Sequence, residues 1–209
     1  MATTRSASKG SAGPSTAAAT TYAHAPSAFT LFWLAVSLPL VAWDCGYVLL
    51  RPRTMPGGDL HWPLWAPYAL YGEVDHVYGW KAFNANSGFT GAQGMLNVIE
   101  TLMYAYYALA YYQNAVSVGG KKVLVGRKAA VPVLVAFSAA VMTLSKTLLY
   151  WLCEYYSGFD NIGHNSLQDL IFLWIIPNGA WLVGPTFMLY ELGSELVGNL
   201  AAGAGVKRD

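Results

Sequence analysis

Four long apolar stretches organise the chain, and each is about as long as a membrane is thick. They cover residues 27–50, 93–112, 129–153 and 170–190. A helix needs about 20 residues to cross a hydrocarbon core, and only helices or closed barrels satisfy their backbone groups in lipid. The pattern therefore predicts an all-α integral membrane protein, a four-helix transmembrane bundle.

Each stretch carries a strongly polar or ionisable side chain at a similar depth. These four groups, which we call the polar layer, are Asp44, Glu100, Lys146 and Asn178. If consecutive helices run antiparallel, each lies seven or eight residues from the same membrane face. At about 1.5 Å per residue, that is roughly 10 to 12 Å deep. Ionisable groups are costly there, so we expect a functional site.

Further polar and aromatic side chains continue the same helical faces at i, i+3 and i+4 spacing. The side chains expected to contact a ligand are Asn97, Tyr104, Lys146, Tyr150, Glu154, Trp174, Asn178 and Trp181. A stripe of this kind must face protein or water rather than lipid. We therefore expect a cavity with two carboxylates, one ammonium group, one amide and aromatic walls.

Simpler interpretations exist for two members of the layer. Lys146 can pair with Glu100 or Asp44 only to neutralise charge, or it can extend its ammonium group toward the membrane surface. Asn178 can serve as a hydrogen-bonding contact between helices, helped by Pro177, which frees a backbone carbonyl.

The expected cavity suits proton chemistry on a lipid. One buried carboxyl group can donate a proton and a second can remove one, while tryptophan faces stabilise a cation. This is the pattern of double-bond isomerisation or cyclisation of a sterol or terpenoid, with Glu100 and Asp44 as the catalytic groups. The loop histidines lack acids or cysteines at ligand spacing, so we expect no metal and no cofactor.

The segments between and beyond the apolar stretches differ in character. Residues 51–92 are too aromatic for a free linker and predict a lid or re-entrant cap, although an aromatic belt on the lipid headgroups fits equally well. Residues 116–128 are interpreted as a plain loop. We expect disordered tails at 1–26 and 196–209, around a single membrane domain at 27–195.

Composition and charge narrow the class of protein further. The chain is 55% apolar and 11% charged, against roughly 25% charged in soluble domains. A formal charge of +1 leaves no basic face for nucleic acid. Eight Lys and Arg on one side of the membrane against three on the other predict that both termini are cytosolic. Cys45 and Cys153 are expected to be unreactive thiols rather than a disulfide.

Several short stretches carry a family pattern. They are NGAWLVGP at 178–185, LLYWLCEYYSGF at 148–159, Glu100 with Thr101, DCGYVLL at 44–50, WxxY from Trp65 and DxxY from Asp75. With these stretches, residues 27–195 resemble the EXPERA domain family. That family contains the emopamil-binding protein, a sterol isomerase, and the sigma-two receptor. The resemblance implies four membrane spans and a sterol pocket.

By this resemblance, Asp44 and Glu100 take the positions of two catalytic acids, and Asn178 and Trp181 those of the amide and indole that line the pocket. The chain departs from the isomerase at three positions, where it has Leu40 for a histidine, Met103 for a threonine and Lys146 for a glycine. Loss of the histidine removes a proton-handling partner. It favours a different substrate, or binding without turnover.

The sequence thus predicts a multi-pass protein of the endoplasmic reticulum membrane that isomerises or cyclises a hydrophobic small molecule, a sterol or terpenoid. The alternative is a non-catalytic lipid sensor or trafficking protein of the sigma-two receptor type. The pattern leaves room for a homodimer and does not name the ligand.

Overall fold

Helices form most of the protein in the computed structural model, which describes residues 22–203. The elements, in chain order, are β1 (Ala23–His24), α1 (Ala28–Leu49), α2 (Pro67–Val74), α3 (Trp80–Asn84), α4 (Phe89–Asn114), β2 (Val116–Val118), β3 (Lys121–Val125), α5 (Arg127–Tyr156) and α6 (Leu167–Gly203). The predicted N-terminal tail falls mainly on residues 1–21, which lie outside the described residues, as do residues 204–209 of the predicted C-terminal tail.

Three of these helices, α1, α5 and α6, are long and apolar enough to cross a membrane. The predicted fourth span corresponds to α4, which has the length at 26 residues but not the apolar composition, because a polar stripe runs along it. A four-span bundle therefore stays a prediction. Within the protein, α4 packs against both α1 and α5, α5 packs against α6, and α6 returns to α1.

Helix α1 begins where its sequence provides a cap. Ser27 has an extended backbone and its hydroxyl accepts a hydrogen bond from the backbone N–H of Thr30 at 3.1 Å. An N-cap serine satisfies one of the otherwise unpaired amides of the first turn. The helix then runs for 22 residues to Leu49, so the predicted stretch 27–50 agrees with it closely.

Helix α6 contains a π-helical turn at Leu170–Ile175, directly before Pro177. The N–H of Ile176 bonds to the carbonyl of Ile171, five residues earlier. Proline has no N–H and its ring clashes with the carbonyl four residues before it, so a regular α-helical ladder cannot pass this point. The widened turn lies one helical turn before Asn178, at the level of the polar layer.

The segment predicted as a plain loop at 116–128 is a β-hairpin, which corrects that interpretation. Strand β3 pairs antiparallel with β2 and, on its other edge, with β1. The connecting Gly119 and Gly120 have φ of 57° and 80°, the left-handed conformation that two-residue hairpins require. Order also extends past the predicted domain limits of 27 and 195, since β1 starts at Ala23 and α6 continues to Gly203.

The segment between α1 and α4, residues 51–88, folds over one end of the bundle, and we call it the cap. Its helix α2 directs Tyr68 and Val74 inward, where both are buried. Trp62 and Trp80 point outward and are 79% and 40% exposed. The cap therefore buries some of its aromatic side chains against the bundle and leaves others on the surface, where the prediction of an aromatic belt on lipid headgroups stays a prediction.

Three apolar clusters pack the interior. One joins α1, α4, α5 and α6 away from the cap, with Ala136, Ala139 and Ala140 letting the helices approach closely. The other two lie where the cap meets the bundle, around Trp174 and around Tyr47. A cavity remains between the first cluster and the cap.

Candidate functional site

The structure brings the four groups of the polar layer to one cavity. The cavity has a volume of about 460 Å³ and is walled by α1, α2, α4, α5 and α6. Asp44, Glu100, Lys146 and Asn178 all line it. The near-equal offsets read from the sequence correspond to a real layer, because the four long helices pack side by side with these faces turned inward.

On α4, the predicted stripe supplies one wall of the cavity. Gln93, Asn97, Glu100 and Tyr104 recur every three or four residues and all line it. Tyr107, one turn farther on, leaves the cavity and is fully buried, with its hydroxyl 2.7 Å from His24 Nε2. The stripe therefore has a ligand-facing part and a structural part.

Asp44 is held by two hydrogen bonds. The Tyr68 hydroxyl donates to its Oδ1 over 2.7 Å, and the Asn97 amide donates to its Oδ2 over 3.3 Å. Within residues 22–203 it forms no ion pair. Tyr68 belongs to the cap and Asn97 to α4, so three separate segments meet at this carboxyl group.

Glu100 and Lys146 form a buried ion pair. Lys146 Nζ lies 2.8 Å from Glu100 Oε2, and the two side chains are 8% and 5% exposed. Thr143 donates to the same oxygen over 2.8 Å, and Lys146 also donates to Asn97 Oδ1. The interpretation that Lys146 extends toward the membrane surface is wrong, because its ammonium group stays inside the layer among these acceptors.

Asn178 links α6 to the cap. Its amide donates to the Tyr71 hydroxyl over 3.3 Å and to the backbone carbonyl of Trp174 over 2.9 Å. Trp181, one turn later, meets the ring of Trp33 edge to face at 4.9 Å, and both indoles line the cavity. Amide and indole therefore both lie on the cavity wall.

Two predicted ligand-contacting residues lie outside the cavity wall. Trp174 is buried behind it, with its indole N–H 2.9 Å from Asp75 Oδ2 and 3.3 Å from the hydroxyl of Tyr150, which does line the cavity. Glu154 accepts a hydrogen bond from the Asn161 side chain over 2.8 Å and so fixes the turn between α5 and α6. Their positions suit support of the fold rather than direct contact with a ligand.

Three cap tyrosines belong to the site although sequence reasoning did not assign them to it. Tyr68, Tyr71 and Tyr78 line the cavity. Burial raises the pKa of all three above the ordinary tyrosine value, so they are neutral hydroxyl donors. The aromatic density of residues 51–92 was the only signal, and it does not tell which rings turn inward.

Three polar atoms of cavity-lining residues are buried without a hydrogen-bond partner among the described residues: Ser37 Oγ, Gln93 Nε2 and Glu100 Oε1. Buried polar atoms in folded proteins are nearly always paired, with protein, water or ligand. The residues around the cavity therefore have at least one donor and one strong acceptor without a partner in the described part of the chain.

Within residues 22–203, no group of three or more His, Cys, Asp or Glu side chains is placed to hold a metal ion, and both cysteines are free thiols. The chemistry that the cavity can perform with its own side chains is thus hydrogen bonding, proton exchange and stabilisation of a cation by aromatic faces.

No protein-family model matches the chain, and no curated protein or solved structure does either. The resemblance to the EXPERA family therefore rests on the residues themselves, and the function has to be inferred from the geometry of the cavity.

Proposed function

We propose that this protein is a membrane-embedded isomerase that moves a double bond in a sterol or terpenoid by adding and removing a proton. The observation that carries the proposal is the arrangement at Asp44. A carboxyl group faces an apolar, aromatic cavity with two hydrogen bonds and no ion pair among residues 22–203, beside a second carboxylate that Lys146 already neutralises.

Charge balance assigns the acid. Glu100 and Lys146 together carry no net charge, so an ionised Asp44 would leave one uncompensated negative charge in the layer. Burying an unpaired charge costs several kcal/mol, about as much as a folded protein can spare. We assign the proton to Asp44, which then serves as the acid, while Glu100 remains an anion paired with Lys146.

The reaction follows from that assignment. Asp44 gives its proton to one carbon of the double bond, which leaves a carbocation on the neighbouring carbon. Trp33, Trp43 and Trp181 line the cavity, and the face of a tryptophan ring stabilises a cation. The Asp44 carboxylate then removes a proton from a different neighbouring carbon, so the double bond has moved and the carboxyl group is restored.

This mechanism revises the role expected for Glu100. The sequence prediction gave it half of a proton exchange with Asp44, but its Oε2 already accepts hydrogen bonds from Lys146 and Thr143, so we assign Glu100 the role of counter-ion to Lys146. Cyclisation needs proton addition and removal at distant carbons, which one carboxyl group does not reach easily. The geometry therefore supports isomerisation better than cyclisation.

A binding protein without turnover is the second candidate, and one observation favours it. The closed Glu100–Lys146 pair occupies the position where the resembled isomerase has an acid and no lysine, and Leu40 stands where that enzyme has a histidine. Such a protein would use the same cavity to sense or carry a lipid.

We also propose that the chain is an EXPERA-like protein of the endoplasmic reticulum, with α4 as the fourth span and the cap on the lumenal side. In support, α4 is flanked by two apolar helices and turns its polar face inward. The excess of Lys and Arg at the hairpin end supports that orientation.

The proposal is tested by replacing Asp44 with asparagine and assaying purified protein in lipid nanodiscs, in deuterated water, with sterol and terpenoid olefins. Asp44→Asn should keep the melting temperature and lower turnover by roughly the 10² to 10⁴-fold that proton transfer contributes. The protein is first equilibrated in deuterated water and kept in excess over the olefin, so Asp44 carries a deuteron in the single turnover and the wild-type product should carry that deuteron on its carbon skeleton. Asp59→Asn, at an exposed site of the cap, is the matched control.

Two results would overturn isomerisation. One is an Asp44→Asn protein that folds and turns over at the wild-type rate. The other is a product of that single turnover that carries no deuterium. Specific lipid binding with no product from any olefin would favour the binding protein instead.

A further inference from the structure

The Glu100–Lys146 pair has hydrogen-bonding capacity left over on both sides. An ammonium group has three N–H donors, and within residues 22–203 Lys146 uses them on two acceptors, Asn97 Oδ1 and Glu100 Oε2. Glu100 in turn has one buried oxygen, Oε1, without a donor in the described part of the chain. One donor and one charged acceptor therefore remain without a partner among the described residues, on two side chains that line the cavity.

A hydroxyl group matches this pair of unused positions. It can accept a hydrogen bond from the ammonium group and donate one to the carboxylate at the same time. An ether or ketone oxygen can only accept, so it would leave Glu100 Oε1 unpaired. Hydrogen bonds to charged groups are stronger than those between neutral groups, so both the ammonium group and the carboxylate should contribute to the affinity for a hydroxyl group.

A protonated amine fits the same place poorly. It has no acceptor for Lys146, and it would bring a second positive charge beside a buried ammonium group whose carboxylate is already paired. Like charges in a site of low dielectric repel strongly.

We propose that Lys146 is a specificity-determining residue which, with Glu100, binds a hydroxyl group of an uncharged lipid and disfavours protonated amines. The inference rests on the proposed function only in taking the cavity to hold a sterol or terpenoid. It does not depend on turnover, so binding alone tests it.

The experiment compares two matched sets of three compounds. The terpenoid set is farnesol, farnesyl methyl ether and farnesylamine, and the sterol set is cholesterol, its methyl ether and its 3β-amino analogue. Dissociation constants are measured in lipid nanodiscs by tryptophan fluorescence, since Trp33, Trp43 and Trp181 line the cavity. In the set that the cavity accepts, the alcohol should bind about tenfold more tightly than the ether or the amine, as expected for one well-made hydrogen bond.

Two variants test whether Lys146 and Glu100 cause the tighter binding of the alcohol. Lys146→Met alone leaves Glu100 unpaired and can fail to fold, so the decisive variant is the double change Lys146→Met with Glu100→Gln, which removes both charges. In it the three compounds should bind within about threefold of one another. Lys81→Met is the control. Lys81 lies in the cap, in an exposed ion pair with Asp160, and the variant should bind the three compounds in the same order of affinity as the wild-type protein.

The outcomes separate the two proposals. If the wild-type protein binds the three compounds equally, or the amine most tightly, the role of Lys146 is refuted while a lipid-binding cavity stands. If the double variant keeps the preference for the alcohol, Lys146 is again refuted. If none of the six compounds binds, the proposed function and this inference both fail.

Discussion

The Tyr68 hydroxyl donates a hydrogen bond to Asp44 Oδ1 over 2.7 Å, and this contact joins the cap to α1 between two residues that line the cavity. The Tyr68 ring is stacked on Tyr47 of α1 at 3.8 Å, so its position is fixed by packing as well as by the bond. The cap is therefore part of the site, because it orients the carboxyl group to which we assign the proton.

Replacing Tyr68 with phenylalanine should lower turnover by about tenfold or more while the protein still folds. The ring stacking survives, and Asp44 loses one partner, which costs about 1–3 kcal/mol for a buried acceptor. Turnover and the melting temperature are measured on the same preparation. Tyr112→Phe, at a residue 87% exposed, is the control. Wild-type turnover in Tyr68→Phe would show that the cap hydroxyl does not orient the acid.

A second prediction concerns the contact between α1 and α6. A Cβ on Gly184 would lie 2.4 Å from the Trp33 ring, so Gly184→Ala must displace an indole that lines the cavity. Overpacking of this kind costs about 1–3 kcal/mol, and the melting temperature should fall. Gly179, also on α6, has open space around its position, so Gly179→Ala should leave the melting temperature unchanged or raise it. Equal effects of both changes would contradict the close packing.

The sequence predicts the site only where a helical repeat of polar side chains reveals which face they share. The polar layer was predictable because side chains on a helix repeat every 3.6 residues, and apolar stretches of similar length fix the depth of each group. Depth and face were enough to place Asp44, Glu100, Lys146 and Asn178 on one cavity. They did not fix the direction of a long side chain. The sequence left open whether Lys146 pairs with a carboxylate of the layer or extends to the membrane surface, and the structure shows the pair with Glu100.

Prediction from the sequence failed for different reasons in the cap and in the hairpin. Inward and outward aromatic residues of the cap differ in tertiary packing, with Tyr68 buried and Trp62 exposed, and no period in residues 51–88 separates them. The hairpin did have a signal. Gly119 and Gly120 stand between VSV and KKVLV, a pattern typical of a two-residue turn between strands, and a basic loop was the wrong interpretation.

A third prediction tests the orientation of the bundle. With Cys45 and Cys153 replaced by alanine, single cysteines are introduced at Lys121 in the hairpin and at Asp59 in the cap. In sealed microsomes, a maleimide that cannot cross the membrane should label Lys121→Cys at once and Asp59→Cys only after detergent is added, as the basic excess at the hairpin end requires. The reverse pattern would place the cap in the cytosol.

The last prediction is a pH dependence that starts in the cap. Asp75 is fully buried between the cap and α6, where it accepts hydrogen bonds from Trp174 Nε1 and the backbone N–H of Val77. Burial, reinforced by the nearby charge of Glu154, raises the pKa of Asp75 from 3.8 to about 7. The folded protein therefore holds this proton more tightly than the unfolded chain.

A carboxyl group with a raised pKa in the folded state stabilises the fold fully below its unfolded pKa and loses that contribution as pH rises to the folded value. The melting temperature of the wild-type protein should accordingly fall between pH 4 and 7 and then level off, relative to Asp75→Asn, which cannot ionise. A shift from 3.8 to about 7 corresponds to about 4 kcal/mol as an upper limit. Asp160→Asn is the control, because the exposed Asp160 bonds to Lys81, which lowers its pKa out of this range. If wild type and Asp75→Asn keep a constant difference from pH 4 to 8, Asp75 does not titrate there, and the cap is not loosened by its ionisation.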